Sequence, residues 1–369
     1  MLRRPLFIFV VAFALGVLSA LTVVRWQQAA QVGSADASVA PPASAIADAT
    51  TSAPPDTPDK EDNGSGDHED DESSADADAG ASWPSDAGSP EQVLYAQGER
   101  MDAAIANLTP RVSGKVNLYL VAFAGDGNEN VFRNEVEYVE KQFVQRFDAA
   151  GHTLILVNNP ATLNDHPIAS QTNLETAVDA IAEVMDKEED LLFVFLTSHG
   201  SREHELAVEL DPLPLDRLKP EDLAGLLAGS HIRNKVVVIS ACYSGGFIDA
   251  LKGPTTMVIT AARADRTSFG CGSKSDITYF GRAMFVDGLN DQDNFHAAFS
   301  EAAKLVRDWE TKAGEQHSEP QIATAPAIEQ RLKAWRSGLH LGPPVPFIPA
   351  ADPKPANASP ELSAGLTTH

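Results

Sequence analysis

Apolar runs alternate with helix-like periodicity through the middle of the chain. Five runs are short enough to form strands, at residues 116–123, 153–157, 191–196, 235–241 and 255–262. Between them, apolar side chains recur at helical spacing over 132–147, 174–185, 221–227, 280–289 and 294–309. Strands that are almost wholly apolar and separated by helices are typical of a parallel sheet covered on both faces. The pattern therefore predicts an α/β fold, a mostly parallel β-sheet with helices on both faces.

The N-terminal region carries one long apolar segment, residues 6–24, which is flanked by Arg3, Arg4 and Arg25. About 19 apolar residues at a rise of about 1.5 Å span the hydrocarbon core of a bilayer. The segment exceeds the h-region of about 7–15 residues in a cleaved signal peptide, so we predict a transmembrane signal anchor over 1–28. A cleaved signal peptide is the alternative. The leading arginines predict a cytoplasmic N-terminus. This layout suits a single-pass protein of a bacterial inner membrane with its folded domain in the periplasm.

Residues 29–89 are rich in Ala, Ser, Pro, Gly and acid, and they hold too few apolar side chains to form a core. From Asp48 to Asp86 there are 13 acidic residues and one lysine. The net charge of this segment is therefore −12, half of the −24 of the whole chain. We predict a disordered acidic linker at 29–89, one folded domain at 90–341 and a Pro-rich tail at 342–369. The absence of a clustered basic patch argues against a nucleic-acid partner.

Two polar blocks follow two of the predicted strands. Thr197-Ser198-His199-Gly200 follows the run at 191–196, and Ser240-Ala241-Cys242 opens the block that follows the run at 236–239. The carboxyl ends of parallel strands meet at one edge of a sheet, so this places a His and a Cys where thiol catalysis needs them. Either residue alone is more often a packed core side chain, but the two blocks together favour a nucleophilic thiol.

The blocks resemble the legumain-like cysteine peptidases, peptidase family C13, whose members share the caspase-type sheet. The resemblance lies in His199-Gly200-Ser201, in Ala241-Cys242-Tyr243-Ser244-Gly245 and in Thr260-Ala261-Ala262 with the loop at 267–269. It covers about two hundred residues in the family's order. It implies a caspase-like cysteine endopeptidase that acts on a peptide or protein substrate. It does not account for the predicted membrane helix, through which we expect the protein to contact the membrane, or for the linker and the tail. No cofactor is implied, and the histidine spacing matches no zinc motif.

The resemblance assigns roles to particular residues. Cys242 corresponds to the nucleophile and His199 to the general acid/base. We expect a nearby imidazole and a helix N-terminus to favour the thiolate, and the backbone N–H groups of Gly200 and Cys242 to form the oxyanion hole. Arg133 corresponds to the arginine of the pocket for the residue before the cut, and Ser240 and Ser268 lie at further pocket positions.

The predicted pocket departs from the family at three positions. Asn134 replaces a histidine after Arg133, Ser240 replaces a glutamate, and Arg282 in Tyr279-Phe280-Gly281-Arg282 replaces an acid. The loss of two acids and the gain of an arginine make the predicted pocket more positive. We therefore expect the preferred residue before the cut to shift from Asn toward Asp or another residue. The alternative is that Arg282 lies on a solvated helix face and takes no part in the pocket.

Two other functions remain open on the sequence alone. One is a transamidase, in which an amine resolves the thioester in place of water. The other is a non-catalytic domain that binds peptides at the membrane surface. Cys271 is the second cysteine of the chain; we expect a free thiol, with a disulfide to Cys242 as the alternative.

Overall fold

The computed structural model of the chain describes residues 83–272 and 275–349. The predicted membrane anchor and most of the predicted linker and tail lie outside these residues. Within the described ranges, no helix combines the length and the apolarity needed to cross a membrane. The domain boundaries and the location in the membrane therefore stay predictions.

A six-stranded sheet forms the centre of the domain, in the order β2-β1-β3-β4-β5-β6. The strands are β1 (Leu118–Ala124), β2 (Thr153–Val157), β3 (Leu191–Thr197), β4 (Asn234–Ser240), β5 (Thr256–Thr260) and β6 (Gln321–Ala323). The first five are parallel, and β6 joins β5 antiparallel. The five parallel strands match the five predicted runs, because each is buried along nearly its whole length and is therefore apolar.

The described helices are α1 (Pro90–Tyr95), α2 (Gln97–Ile105), α3 (Asn130–Arg146), α4 (Gln171–Val184), α5 (Pro220–Gly229), α6 (Ile248–Leu251), α7 (Tyr279–Gly281), α8 (Leu289–Asp291), α9 (Phe295–Ala313) and α10 (Pro326–Ser337). Short 3₁₀ turns occupy Pro160–Thr162 and Ser244–Phe247, and a π-helical turn joins α7 to α8 over Arg282–Gly288.

The side chains of alternate strand residues pack into two apolar cores, one on each face of the sheet. Leu120 and Ala122 pack with α3, α9 and α10, whereas Tyr119 and Val121 pack with α2, α4 and α5. This alternation follows from the two-residue period of a strand. The structure thus confirms the α/β class, with helices on both faces of a mostly parallel sheet.

An ion pair at the N-terminal edge of the sheet ties β1 to β3. Asp190 is fully buried just before β3, and its carboxylate accepts from Arg111 Nε at 2.9 Å and from the backbone N–H groups of Asn117 and Asp186 at 2.8 Å each. Burial acts to raise the pKa of Asp190, but these donors outweigh it and the pKa is lowered.

The structure contains elements that the apolar runs do not reveal. β6 has three half-buried residues and no apolar run. The helix α10 was not predicted either, although its buried residues Ile328, Leu332 and Trp335 stand at helical spacing in the sequence. The packed chain also continues past the predicted boundary at 341, because Val345 is 1% exposed and its carbonyl accepts from the Tyr138 hydroxyl at 2.8 Å.

Candidate active site

His199 and Cys242 follow neighbouring strands at the same level of the sheet. β3 and β4 are paired in parallel with Thr197 opposite Ser240, and each candidate residue stands two positions after its member of this pair. The register is fixed by the buried apolar side chains of both strands. The structure therefore brings the predicted His and Cys to the same edge of the sheet.

The loops that follow the two strands touch each other. Gly200 lies so close to Cys242 that a Cβ at this position would collide with the carbonyl oxygen of Cys242. Only glycine fits this approach. Further along, the His204 ring packs on Gly246, and its Nδ1 lies 3.2 Å from the carbonyl oxygen of Tyr243. The His199 and Cys242 loops thus form one continuous surface.

The Cys242 thiol lies between the 266–271 loop and the sheet edge. The backbone N–H of Ser268 donates to Cys242 Sγ at 3.2 Å, and the Ser268 carbonyl oxygen lies 3.5 Å from Cys242 Sγ and 3.9 Å from Cys271 Sγ. Both cysteines are free thiols, as expected for Cys271. Ser268, expected at the pocket, thus contacts the candidate nucleophile through its backbone.

The pKa of Cys242 is lowered to about 7 from an ordinary value of 9.0. The largest cause is a hydrogen bond from the Cys271 thiol; burial opposes it, and the N–H of Ser268 supports it. The same contact raises the pKa of Cys271, which therefore keeps its proton and acts as the donor. The sequence predicted an imidazole and a helix N-terminus as the causes. In the structure the largest cause is the second cysteine, Cys271, which the apolar pattern of the sequence does not place beside Cys242.

His199 is half-buried beside α3. The edge of its ring meets the Phe132 ring, with centroids 5.1 Å apart and planes at 85°. Its backbone carbonyl accepts from the N–H of Ala207 at 2.9 Å, which fixes the loop that carries it. Among the backbone hydrogen bonds of the described residues, none is donated by the N–H of Gly200 or of Cys242. Both predicted oxyanion donors therefore have no backbone acceptor in the part of the chain described.

A comparison with protein families agrees with this arrangement. A model described as the peptidase C13 family matches residues 172–329, which include His199, Cys242 and Ser268. The matched segment of the chain is therefore similar to that family. A solved structure titled "structure of pro-sf-caspase-1" is 11% identical, covers 58% of this chain and 89% of that chain, and has a TM-score of 0.38. No curated protein matches the chain.

Arg133 lies in the first turns of α3, next to Phe132. Its side chain is 18% exposed and is held by oxygen acceptors: Nη1 donates to Asn159 Oδ1 at 3.2 Å, and Nη2 donates to Asn134 Oδ1 at 3.1 Å. Glu137 Oε1 lies 4.0 Å from Arg133 Nε and is 43% exposed. The guanidinium is thus oriented by the neutral amide oxygens of Asn134 and Asn159, and Glu137 is its partly exposed ion-pair partner.

The other two predicted pocket positions differ in their surroundings. Ser240 is 1% exposed, and its hydroxyl lies 3.1 Å from that of Thr278, so it lies beneath the surface. Arg282, expected to add charge to the pocket, stacks over the Trp309 ring at 5.7 Å, and its side chain is 61% exposed. The structure therefore favours the solvated-face alternative for Arg282.

One acidic residue that the sequence analysis did not identify lies beneath this site. Glu135 is fully buried on α3, and its carboxylate accepts hydrogen bonds from the hydroxyls of Thr197 and Thr278. Gly281 leaves the room for this carboxylate, because a Cβ there would collide with Glu135 Oε1. A signal was present in the sequence, since Glu135 stands on the same face of the predicted helix as the apolar residues Phe132 and Val139, where a charged residue is rarely buried.

Cavities elsewhere do not include the candidate catalytic pair. One of about 690 Å³ is lined by Tyr279, Trp309 and Phe347, and one of about 630 Å³ lies between α2 and the edge of β2. Neither is lined by His199 or Cys242. An extended peptide binds along a surface groove, so the candidate pair does not need an enclosed cavity.

Proposed function

We propose that the chain is a cysteine endopeptidase that uses Cys242 as nucleophile and His199 as general acid/base. The observation that carries the proposal is the Cys242 thiol. Its pKa is lowered to about 7, and it follows a strand paired in register with the strand before His199. A thiol with this pKa is substantially ionised at neutral pH, as a thiol nucleophile must be.

The reaction runs in two steps on these groups. The Cys242 thiolate attacks the scissile carbonyl carbon, and the oxygen that becomes negative is stabilised by the N–H groups of Gly200 and Cys242. His199 gives a proton to the leaving amine as the C–N bond breaks, which leaves a thioester on Cys242. His199 then takes a proton from water, whose oxygen attacks the thioester, and the thiolate and the new carboxyl group are released.

We propose that the pocket favours an acidic or amide side chain before the cut. The support is Arg133, whose guanidinium is oriented by the neutral oxygens of Asn134 and Asn159. A guanidinium held in this way suits the carboxylate of Asp, or the carbonyl of Asn. Arg282, which packs on Trp309, has no part in this preference.

We also propose that the protein is anchored in a bacterial inner membrane by residues 1–28, with the peptidase domain in the periplasm. The support is the apolar segment 6–24 and the arginines that precede it. Retention of the full chain in carbonate-washed membranes, with the domain accessible to protease only after the outer membrane is opened, tests this proposal. Release of the full chain by carbonate contradicts it.

The decisive experiment on activity compares the purified full chain with C242A and H199A on a peptide library that varies the residue before the cut. We expect hydrolysis only by the parent chain, mainly after Asp and Asn. R133A should lose the acidic preference, and R282A, its matched control, should keep it. Ligated products would indicate a transamidase. Peptide binding without turnover, together with a Cys242 that does not react with electrophiles, would indicate a binding domain.

A further inference from the structure

The buried carboxylate of Glu135 contacts the end of the strand that leads to His199. Glu135 lies on α3 with no exposed surface, and the Thr197 hydroxyl donates to its Oε2. Thr197 is the last residue of β3 and stands two positions before His199. The same turn of α3 carries Phe132, whose ring meets the ring of His199. Glu135 therefore links α3 to the end of β3.

The second carboxylate oxygen reaches the strand that leads to Cys242. Thr278 donates to Glu135 Oε1 at 2.6 Å. The Thr278 hydroxyl also lies 3.1 Å from that of Ser240, the last residue of β4, and accepts from the N–H of Gly281 at 2.8 Å. A hydroxyl has one proton to give and two lone pairs, so Thr278 donates to Glu135 and accepts from Ser240 and Gly281. The network is complete when Glu135 is ionised.

Stability alone does not account for a carboxyl group at this place. Within residues 83–272 and 275–349, none of the ion pairs includes Glu135. Burial raises its pKa to about 7, although the two hydroxyls act to lower it. A buried carboxyl without a charged partner destabilises a fold, and such groups concentrate at functional sites. Here it lies where two strand ends and the start of α7 meet.

We infer that Glu135 is a positioning residue for the proposed peptidase reaction, because its carboxylate holds the β3 and β4 ends at the separation that His199 and Cys242 require. It acts through Thr197 on one side and through Thr278 and Ser240 on the other. The inference rests on the proposed function. A misplacement of about 1 Å between reacting groups lowers a rate by about a hundredfold. We call Glu135 with Thr197, Thr278 and Ser240 the clamp, and we expect it to affect turnover and not the binding of substrate.

The test uses full-length E135Q and E135A, with Q142A as the matched control. Gln142 is also fully buried on α3, two turns further along, but it donates to the Phe285 carbonyl at 2.7 Å, away from the strand ends. We expect kcat to fall about tenfold in E135Q and about a hundredfold in E135A, with KM changed less than about twofold. Q142A should lower Tm but keep the kcat of the parent chain.

A readout that is independent of activity separates this inference from the proposed function. Hydrogen exchange followed by mass spectrometry should show faster exchange of 197–201 and 240–244 in E135A, and not in Q142A. Parent-like kcat and exchange in folded E135A would overturn the positioning role. A parent chain that cleaves no peptide would overturn the proposed peptidase, and altered exchange in E135A would still establish the clamp.

Discussion

Replacement of Cys271 by alanine should raise the pKa of Cys242 and slow its reaction with electrophiles at neutral pH. The Cys271 thiol is the largest cause of the lowered pKa of Cys242. In C271A this donor is lost, whereas burial and the N–H of Ser268 remain and act in opposite directions. The pKa of Cys242 should therefore return from about 7 toward its ordinary value of 9.0.

The size of the effect depends on two opposed factors. At pH 7 a thiol with a pKa of about 7 is about half ionised, and at a pKa of 9.0 it is about 1% ionised, a fall of about fiftyfold. The more basic thiolate is also more nucleophilic, by about six- to tenfold for two pKa units. The alkylation rate at pH 7 should fall about five- to eightfold. Above pH 9 the variant should react faster than the parent chain, so the two pH profiles should cross.

The assay is the rate of alkylation of Cys242 by iodoacetamide between pH 5.5 and 10.5, quantified on the Cys242 peptide by mass spectrometry. C271S is the matched control, because its hydroxyl still donates to the thiolate and should keep the midpoint of the profile below about 8. A C271A profile that keeps its midpoint near 7 would refute the assignment of the shift to Cys271.

Three further predictions concern the ionised groups around the sheet. Glu135 is protonated more readily in the folded than in the unfolded chain. The free energy of unfolding should therefore fall by about 3 kcal/mol as pH rises from about 4.5 to 7. Urea unfolding of E135Q at pH 4.5 and 8 should no longer show this dependence. D190N leaves Arg111 without its buried carboxylate and should lower the free energy of unfolding by about 3 kcal/mol, seen as a lower urea midpoint. N159A removes the acceptor of Arg133 Nη1 and should raise KM severalfold for peptides with Asp before the cut while kcat changes little; an equal rise for Ala peptides would contradict this reason.

Much of the fold could be predicted from local patterns. The buried parallel strands are apolar along their length, and α3 shows its buried face at helical spacing, so both can be read from the chain. β6 could not be predicted in this way, because three half-buried residues on a sheet edge leave no periodic signal. The end of the packed chain was equally hidden, since Val345 is held by contacts with α3 and not by a local pattern.

The amino-acid sequence by itself determined the α/β class, the strands that precede His199 and Cys242, and the family that these motifs resemble. It did so because strand apolarity and motif order are local properties of the chain. The tertiary structure decided which groups tune the site. It brought Cys271 to the Cys242 thiol, turned Arg282 onto Trp309, and placed Glu135 beneath both strand ends. These contacts join residues far apart in the chain, and a pKa or a hydrogen bond depends on distance in space, which no local pattern encodes.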